Sequence, residues 1–392
     1  MNRRRFAATL AVGVLVLAGC SGTPSGSGAG AGGDTLLLGG IAGTTGAYGT
    51  TGQAVVNGTQ VAVDEINAAG GILGKQVRFE WEDDGADPTK SSQLFSKYLS
   101  DGAIAIAGSP DTGPTTVELS TKNNFPIIGA VDDCGLTVYT EGPDKPPAPY
   151  AFCTSLNTFA YGGIIGQHAL DNCEALAVLH DPSTYGMGGL YGIQSTYEAT
   201  GRKIVLDESI TENWSTGATV GLRAEIDKIN DAGADCVDVW LTPQDQANFI
   251  SEARSLGATF TVYGNDETNA DTTFSDLAGD AADGYVAAEI TTRLNPAQAL
   301  LDFRKTYKDK FKVDATPFAE LSYDAAKVLK DVAEKAKSTE PAKLQAEFNK
   351  VTDFPGLFGP LTFTEQRHAT LDAEHLTIVV FDKGSKEWKP EG

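Results

Sequence analysis

The sequence predicts an α/β protein with two similar lobes, each a doubly wound parallel sheet covered by helices. Short runs rich in Val, Ile and Leu alternate with segments of helical periodicity, which is the pattern of βαβ units. A proline-rich stretch at 132–149 interrupts this alternation, which then starts again. A chain of 392 residues is also long enough to form two domains with sizeable cores.

The first round of alternation begins with the apolar run 35–42, which predicts a buried strand. A helix is predicted over 52–69 because its apolar residues fall on one stripe, and Gly70 ends it because glycine tolerates a left-handed backbone. The next elements along the chain are strands at 76–82, 103–107 and 126–131 and helices at 88–101 and 113–124.

The second round starts after a predicted crossover near 150–157. Its strands, separated by helices, are expected near 174–180, 203–208, 235–241 and 259–263. In open α/β sheets, ligands bind outside the carboxyl ends of the strands. The segments directly after the strands are therefore the candidate binding loops: "GTTGAYG", "GSPDTG", "DDCG", "DPSTYG", "TPQ" and "NDE".

The N-terminal residues have the pattern of an export signal. Three arginines at 3–5 precede an apolar run, 6–18, that is shorter than the roughly 20 residues of a membrane-spanning helix. The run ends in "LAGC", which resembles the lipobox of bacterial lipoproteins. We therefore expect a lipoprotein signal peptide at 1–19 and a lipidated, palmitate-bearing Cys20 that starts a flexible tether over 20–34. An ordinary signal with an incidental cysteine is the alternative, and the arginines also fit twin-arginine export.

The chain is strongly acidic, with 52 acidic and 30 basic residues and a formal net charge of −22. Such a surface repels nucleic acid and anionic lipid, so neither is an expected partner. High solubility explains the same charge.

Four cysteines remain besides Cys20, and an even number in an exported protein indicates two disulfides. Zinc ligation is the alternative, but no closely spaced Cys/His set exists, so we expect no metal. Cys173 precedes the first strand of the second lobe and Cys236 opens its third, and these strands are neighbours in a 2-1-3-4-5 sheet. Cys134 and Cys153 bracket the proline-rich stretch. We predict the disulfides Cys134–Cys153 and Cys173–Cys236.

Three segments partly match known phosphate, dinucleotide or calcium motifs, but none has the full pattern. "GGILGK" lacks the spacing of a phosphate loop, "GTTGAYG" is not GxGxxG, and "EDDGADPTK" lacks the last glutamate of an EF-hand. Acids at strand ends leave a glycosidase-like carboxylate pair as an alternative. We expect a protein that is not an enzyme and carries no cofactor.

Several segments in order resemble the leucine/isoleucine/valine-binding proteins, which are type I periplasmic binding proteins that supply ABC importers. The most specific is 45–90, "TGAYGTTGQAVVNGTQVAVDEINAAGGILGKQVRFEWEDDGADPTK", and "PYAFCTS", "HDPSTYGMG", "ARSLG", "LSYDAA" and "GPLTF" come after it. The resemblance spans about 35–385. It implies two Rossmann-like lobes joined by three crossovers. Lobe 1 is then 35–153 with about 285–365, and lobe 2 is 154–284 with about 366–392.

The resemblance also implies which residues contact the ligand in lobe 1. Thr112 corresponds to the hydroxyl residue that receives a ligand carboxylate, and capping of its own helix is the alternative role. Val131 corresponds to a backbone carbonyl contact, and Asp133 replaces the family's next hydroxyl. Tyr48 corresponds to an aromatic contact in the first loop, with ordinary loop packing as its alternative.

In lobe 2 the resemblance maps an aromatic contact to Tyr185, with ordinary loop packing as its alternative. It maps the acid for the ligand's ammonium group to Asp266, or to Glu267 if the alignment slips by one. Asp111 and Glu320 stand where the family has uncharged residues, and solvated surface acids are their alternative role. We therefore expect an acidic cleft without Lys or Arg that binds an ammonium group. A more specific form of this expectation is that the ligand is a diamine or a basic amino acid.

The function implied by the resemblance is that of an extracytoplasmic solute-binding lipoprotein, anchored to the bacterial cell membrane and serving an ABC permease and its ATPase. The solute is an amino acid or a related small polar molecule, and the protein is a monomer. A ligand-sensing receptor subunit of the same fold is the alternative, as is a binder of amides, urea or aromatic acids.

Overall fold

The computed structural model describes residues 35–46, 49–108, 110–130, 133–143, 145–211 and 221–391. The predicted signal peptide, Cys20 and the tether lie outside the described residues, and so do Tyr48 and Val131. Among the helices of the described ranges, none combines the length and the apolar character needed to cross a membrane.

The strands alternate with helices along most of the chain, as the apolar runs predict. In chain order they are β1 (Leu36–Ala42), β2 (Val77–Asp83), β3 (Ala105–Gly108), β4 (Ile127–Gly129), β5 (Ala151–Leu156), β6 (Leu176–His180), β7 (Leu206–Ser209), β8 (Cys236–Trp240), β9 (Thr261–Gly264), β10 (Val286–Ile290), β11 (Phe354–Gly356), β12 (Gly359–Leu361), β13 (Ala369–Leu371), β14 (Leu376–Asp382) and β15 (Glu387–Pro390).

The α-helices connect these strands and cover both faces of the sheets. They are α1 (Gly49–Ala68), α2 (Pro88–Ser100), α3 (Gly113–Asn123), α4 (Thr158–Asn172), α5 (Thr184–Thr200), α6 (Arg223–Asp231), α7 (Pro243–Ser255), α8 (Thr273–Ala278), α9 (Thr291–Leu294), α10 (Gln298–Phe311), α11 (Pro317–Ala336) and α12 (Pro341–Phe348). Their starts carry local signals. At α2, for example, the Asp87 side chain accepts hydrogen bonds from the N–H groups of Thr89 and Lys90, and Pro88 opens the first turn.

Two doubly wound sheets form the two lobes, so the predicted fold class is confirmed. The sheet of lobe 1 has the strand order β13-β5-β4-β3-β1-β2, and that of lobe 2 has β15-β14-β10-β9-β8-β6-β7. Both contain the 2-1-3-4-5 order. Most neighbouring strands are parallel, and β14 joins β10 in the antiparallel sense. The carboxyl ends of the parallel strands in each lobe therefore form one edge, where ligands bind in such sheets.

Within the described ranges the chain crosses between the lobes three times, and the pairing of the strands shows where each crossover lies. β5 pairs with β4 in lobe 1, so the first crossover comes after Leu156. β10 pairs with β9 in lobe 2, so the chain returns to lobe 1 after Ile290 and not at about 285. β13 pairs with β5, so the last crossover comes after Leu371 and not after about 365. The second and third crossovers thus come a few residues later than expected.

Both predicted disulfides are present. Cys134 and Cys153 are bonded, with 5.6 Å between their Cα atoms, and the bond closes the proline-rich excursion onto β5. Cys173 and Cys236 are bonded as well, with 6.0 Å between their Cα atoms, and join the starts of β6 and β8. Strand order explains this second bond, because β6 and β8 are paired neighbours.

Candidate functional site

A cavity lies between the two lobes, at the carboxyl ends of their strands. Its volume is about 600 Å³ when the part open to solvent is included. Lobe 1 lines it from α1, from the loops after β3 and β4, from the end of β5 and from α11, and lobe 2 lines it from α5 and the loop after β9. The lining residues are Thr51, Pro110, Asp111, Ala130, Ser155, Leu156, Tyr185, Asp266, Glu267 and Phe318.

Asp266 and Tyr185 form the lobe 2 wall together. The Tyr185 hydroxyl donates a short hydrogen bond to Oδ1 of Asp266. Asp266 lies just after β9, and only 8% of its surface is exposed. Burial raises the pKa of Asp266 to about 6, although the bond from Tyr185 acts in the opposite direction. The pair offers a nearly buried carboxylate whose position is set by a neighbouring hydroxyl.

Two further acids line the cavity. Asp111, in the loop after β3 in lobe 1, accepts a hydrogen bond from the backbone N–H of Gly43 through Oδ2, at 3.1 Å. Glu267 is the residue after Asp266, and its backbone N–H donates to Oδ1 of Asn265 at 3.1 Å. Carboxylates therefore stand on both walls of the cavity, and none of the described lining residues is Lys or Arg. Like charges in one cavity favour a cationic ligand or proton uptake.

Thr112 is a neighbour of the cavity but does not line it, contrary to the expectation. Its hydroxyl donates to Oδ2 of the buried Asp84 at 2.7 Å and lies 2.8 Å from the hydroxyl of Ser91. Burial raises the pKa of Asp84, and the bond from Thr112 opposes that rise. The side chain does not cap α3 either. The Thr112 hydroxyl uses its proton for the bond to Asp84, and this bond joins the start of α3 to the loop after β2.

Asp133 also lies outside the cavity lining. It is buried beside the first crossover, where Oδ1 accepts hydrogen bonds from the Thr158 hydroxyl and the Gly135 N–H, both at 2.6 Å. Burial raises the pKa of Asp133 to about 6, with the Thr158 hydroxyl acting against the rise. A carboxylate at this place interacts with the first turn of α4, and Asp133 thereby holds the crossover to lobe 2.

Glu320 corrects the expectation that it faces the cleft and that no basic residue is near. Its side chain is fully buried and pairs with two arginines, through Arg304 Nε at 2.6 Å and Arg293 Nη1 at 3.3 Å. Arg293 Nε is also 3.7 Å from Oε1 of Glu289. Glu289 lies in β10 of lobe 2, Arg293 lies in the crossover, and Glu320 and Arg304 belong to lobe 1. These four residues form an ion cluster beside the second crossover.

The sequence reasoning missed six residues that line the cavity, which are Thr51, Pro110, Ala130, Ser155, Leu156 and Phe318. Pro110 lies in the candidate loop "GSPDTG", and Ala130 lies just before the candidate loop "DDCG". Ser155 lies in "PYAFCTS", one of the segments that carry the family resemblance. A search of all strand ends could therefore have found these three residues. Phe318 comes from the start of α11, for which no such signal exists. In the described ranges, no group of three or more His, Cys, Asp or Glu could hold a metal ion.

Comparisons with known proteins agree with this geometry. A family model described as periplasmic binding protein matches residues 35–385. The Leu/Ile/Val-binding protein BraC3 of Rhizobium johnstonii is 26% identical over 340 residues, which cover 84% of this chain and 88% of that protein.

Solved structures share the fold. A periplasmic binding protein type 1 from Bordetella pertussis superposes with a TM-score of 0.81 at 22% identity, covering 91% of this chain and 100% of that one. An ABC transporter solute-binding protein from Rhodopseudomonas palustris in complex with 3,4-dihydroxybenzoic acid superposes with a TM-score of 0.76 at 20% identity, covering 91% and 95%.

Proposed function

Because this chain belongs to the periplasmic binding protein family, we propose that it is the solute-binding subunit of an ABC importer and binds an amino acid or a related small solute with an ammonium group. It captures the solute outside the cytoplasm and delivers it to a permease with an ATPase, and it catalyses no reaction. The observation that carries the proposal is the cavity between the lobes, with carboxylates on both walls.

The charges of the cavity favour an ammonium group over an anionic solute. Asp266 accepts the Tyr185 hydroxyl through Oδ1 and can accept an ammonium N–H through its second oxygen. The hydroxyls of Thr51 and Ser155 on the lobe 1 wall supply polar contacts for the rest of the solute. An aromatic acid, such as the ligand of the Rhodopseudomonas protein, would bring its own carboxylate beside Asp111, Asp266 and Glu267 without a basic lining residue.

Calorimetry with leucine, lysine, putrescine, urea and benzoate tests this proposal. We expect binding of at least one amine, and Asp266→Asn should weaken it about 10- to 150-fold, since a hydrogen bond to a charged group contributes roughly 1.5–3 kcal/mol. Asp276→Asn, at an exposed position on α8 of the same lobe, is the matched control and should bind as the wild type does. Tight binding of benzoate with none of the amines would contradict the proposal.

The lipid anchor is a separate part of the proposal, supported by the "LAGC" sequence alone. Growth of the source cells or of a bacterial host with labelled fatty acid should label the wild-type protein and leave the Cys20→Ser variant unlabelled and unprocessed. We also expect the protein to act as a monomer. Label on the Cys20→Ser variant would refute the assignment of this cysteine.

A further inference from the structure

Tyr185 is held from behind by a second aromatic residue. The ring of Trp240 meets the ring of Tyr185 edge-on, with 5.3 Å between the ring centroids and 63° between the planes. Trp240 is the last residue of β8 and is fully buried. The Tyr185 ring therefore has Trp240 on its inner side, while its hydroxyl reaches Asp266 at the cavity.

The indole of Trp240 is itself fixed by a carboxyl group of the same strand. Its Nε1–H donates to Oδ2 of Asp238 at 2.7 Å, and Oδ1 of Asp238 accepts from the Val239 N–H at 3.1 Å. Residues two apart on a strand point to the same face of a sheet, so Asp238 lies beneath the same helices as Trp240. Asp238 is fully buried. A buried carboxyl group in a central strand is costly, which calls for a role beyond packing.

Two helices pack against the indole of Trp240. A Cβ atom on Gly189 of α5 would lie 2.0 Å from Cε2 of Trp240, so α5 rests directly on the indole at a position where only glycine fits. On another side, the ring of Tyr161 from α4 meets the indole edge-on at 5.7 Å and 86°. Because Tyr185 lies in the first turn of α5, the contact at Gly189 also sets the distance of Tyr185 from the sheet.

We propose that Asp238 and Trp240 are positioning residues for the solute cavity, which hold Tyr185 so that its hydroxyl meets the Asp266 carboxylate. The chain of contacts runs from Asp238 to the indole, from the indole to the Tyr185 ring, and from the Tyr185 hydroxyl to Asp266. Neither Asp238 nor Trp240 lines the cavity. The inference rests on the proposed function only in taking this cavity as the solute site.

The test measures the ionisation of Asp266 in the ligand-free protein. Carbon-13 NMR of labelled aspartate, with the Asp266 signal assigned from the Asp266→Asn spectrum, should give a midpoint near 6 in the wild type. Tyr185→Phe should raise the midpoint by about one unit, because the carboxylate loses a hydrogen bond. Trp240→Phe should raise it in the same direction. Trp81→Phe, on the edge strand β2 of lobe 1, is the matched control and should not change it.

Variants of Asp238 separate positioning from general damage to the fold. Asp238→Ala removes the acceptor for the indole N–H and should raise the Asp266 midpoint. Asp238→Asn keeps an acceptor oxygen, so its Asp266 midpoint should equal that of the wild type. Burial raises the pKa of Asp238 to about 7, so this residue is mostly uncharged at the Asp266 midpoint and the comparison changes little charge. Other groups that face Asp266, such as Glu267 and Asp111, stay unchanged in every variant.

An unchanged Asp266 midpoint in Trp240→Phe, with a raised one in Tyr185→Phe, would overturn the inference, and so would equal shifts in Asp238→Ala and Asp238→Asn. The titration needs no solute. If calorimetry detects no binding of the amines, the proposed function is refuted and the titration result still stands. If the titration fails, the positioning role is refuted and the proposed function still stands.

Discussion

Replacing Glu320 by glutamine removes the central negative charge of the buried ion cluster while keeping the size of the side chain. In the wild type this carboxylate lies between Arg304 and Arg293, at 2.6 and 3.3 Å. In the variant the two guanidinium groups keep their charges, which then face each other across an uncharged amide. Glu289 remains close to Arg293, but at 3.7 Å it compensates only one of them.

The expected loss depends on the burial of the three partners. Removing one member of a buried ion pair costs about 3–5 kcal/mol because it leaves an uncompensated charge. The side chain of Glu320 is 0% exposed, but those of Arg293 and Arg304 are 13% and 27% exposed, so water solvates them in part. We therefore expect the lower end, about 3 kcal/mol. For the about 360 residues that follow the predicted tether the entropy of unfolding is roughly 0.75 kcal/mol/K, so the melting temperature should fall by about 4 °C.

Calorimetry and urea unfolding of the ligand-free protein measure this loss. Asp309→Asn, which removes the same charge from an exposed pair with Lys305, is the matched control and should leave the unfolding midpoint unchanged. Adding Arg304→Met to Glu320→Gln removes one uncompensated cation and should recover part of the loss. A Glu320→Gln midpoint equal to that of the control would refute the view that the cluster stabilises the fold.

Four further results are expected. Binding of an ammonium solute should be about tenfold weaker at pH 5 than at pH 7.5, because Asp266, with its pKa of about 6, must be ionised to bind it. A Kd that calorimetry finds equal at the two pH values would argue against this. Burial raises the pKa of Asp324 to about 8, so the folded state keeps a proton that the unfolded chain releases. The contribution of Asp324 to the free energy of unfolding should therefore fall as the pH rises from about 4 to 8, and Asp324→Asn should remove this dependence from urea unfolding measured across that range. Replacing Cys173 and Cys236 by serine should lower the free energy of unfolding in urea by about 4 kcal/mol, as expected for a loop of this length, and an unchanged value would contradict this. Gly189→Ala should cost at least about 1–3 kcal/mol in the same assay, because its methyl group overlaps an indole, and wild-type stability would contradict the packing.

The sequence was sufficient for the elements whose signals are local and for contacts that depend on strand order alone. Apolar runs predicted the strands from β1 to β4 and from β6 to β9 within a few residues. The disulfide between Cys173 and Cys236 could be predicted from the neighbouring places of β6 and β8 in a doubly wound sheet. The crossovers were less accurate, because β10 and β13 belong to their sheets through tertiary pairing rather than through any local pattern.

Side-chain directions could not be predicted in the same way. Thr112 stands in the expected loop, but its hydroxyl bonds Asp84, which is 28 residues away and lies in the loop after β2, two strands from β3 in the sheet. Glu320 stands at the expected helix start, but Arg304 on the preceding helix turns it away from solvent. In both cases a long-range polar partner decides where the side chain points. Asp266 has its expected direction and lies at the cavity.

Neither lobe is encoded by one continuous stretch of chain, and this has a consequence for biosynthesis. The sheet of lobe 1 lacks an edge strand until Ala369–Leu371 has been made, and the sheet of lobe 2 lacks β14 and β15 until Pro390. A chain that emerges from its N-terminal end therefore cannot complete the sheet of lobe 1 before Leu371, or that of lobe 2 before Pro390, has been synthesised. Until then both sheets lack strands in the nascent chain, and a truncation before Ala369 removes strands from both lobes at once.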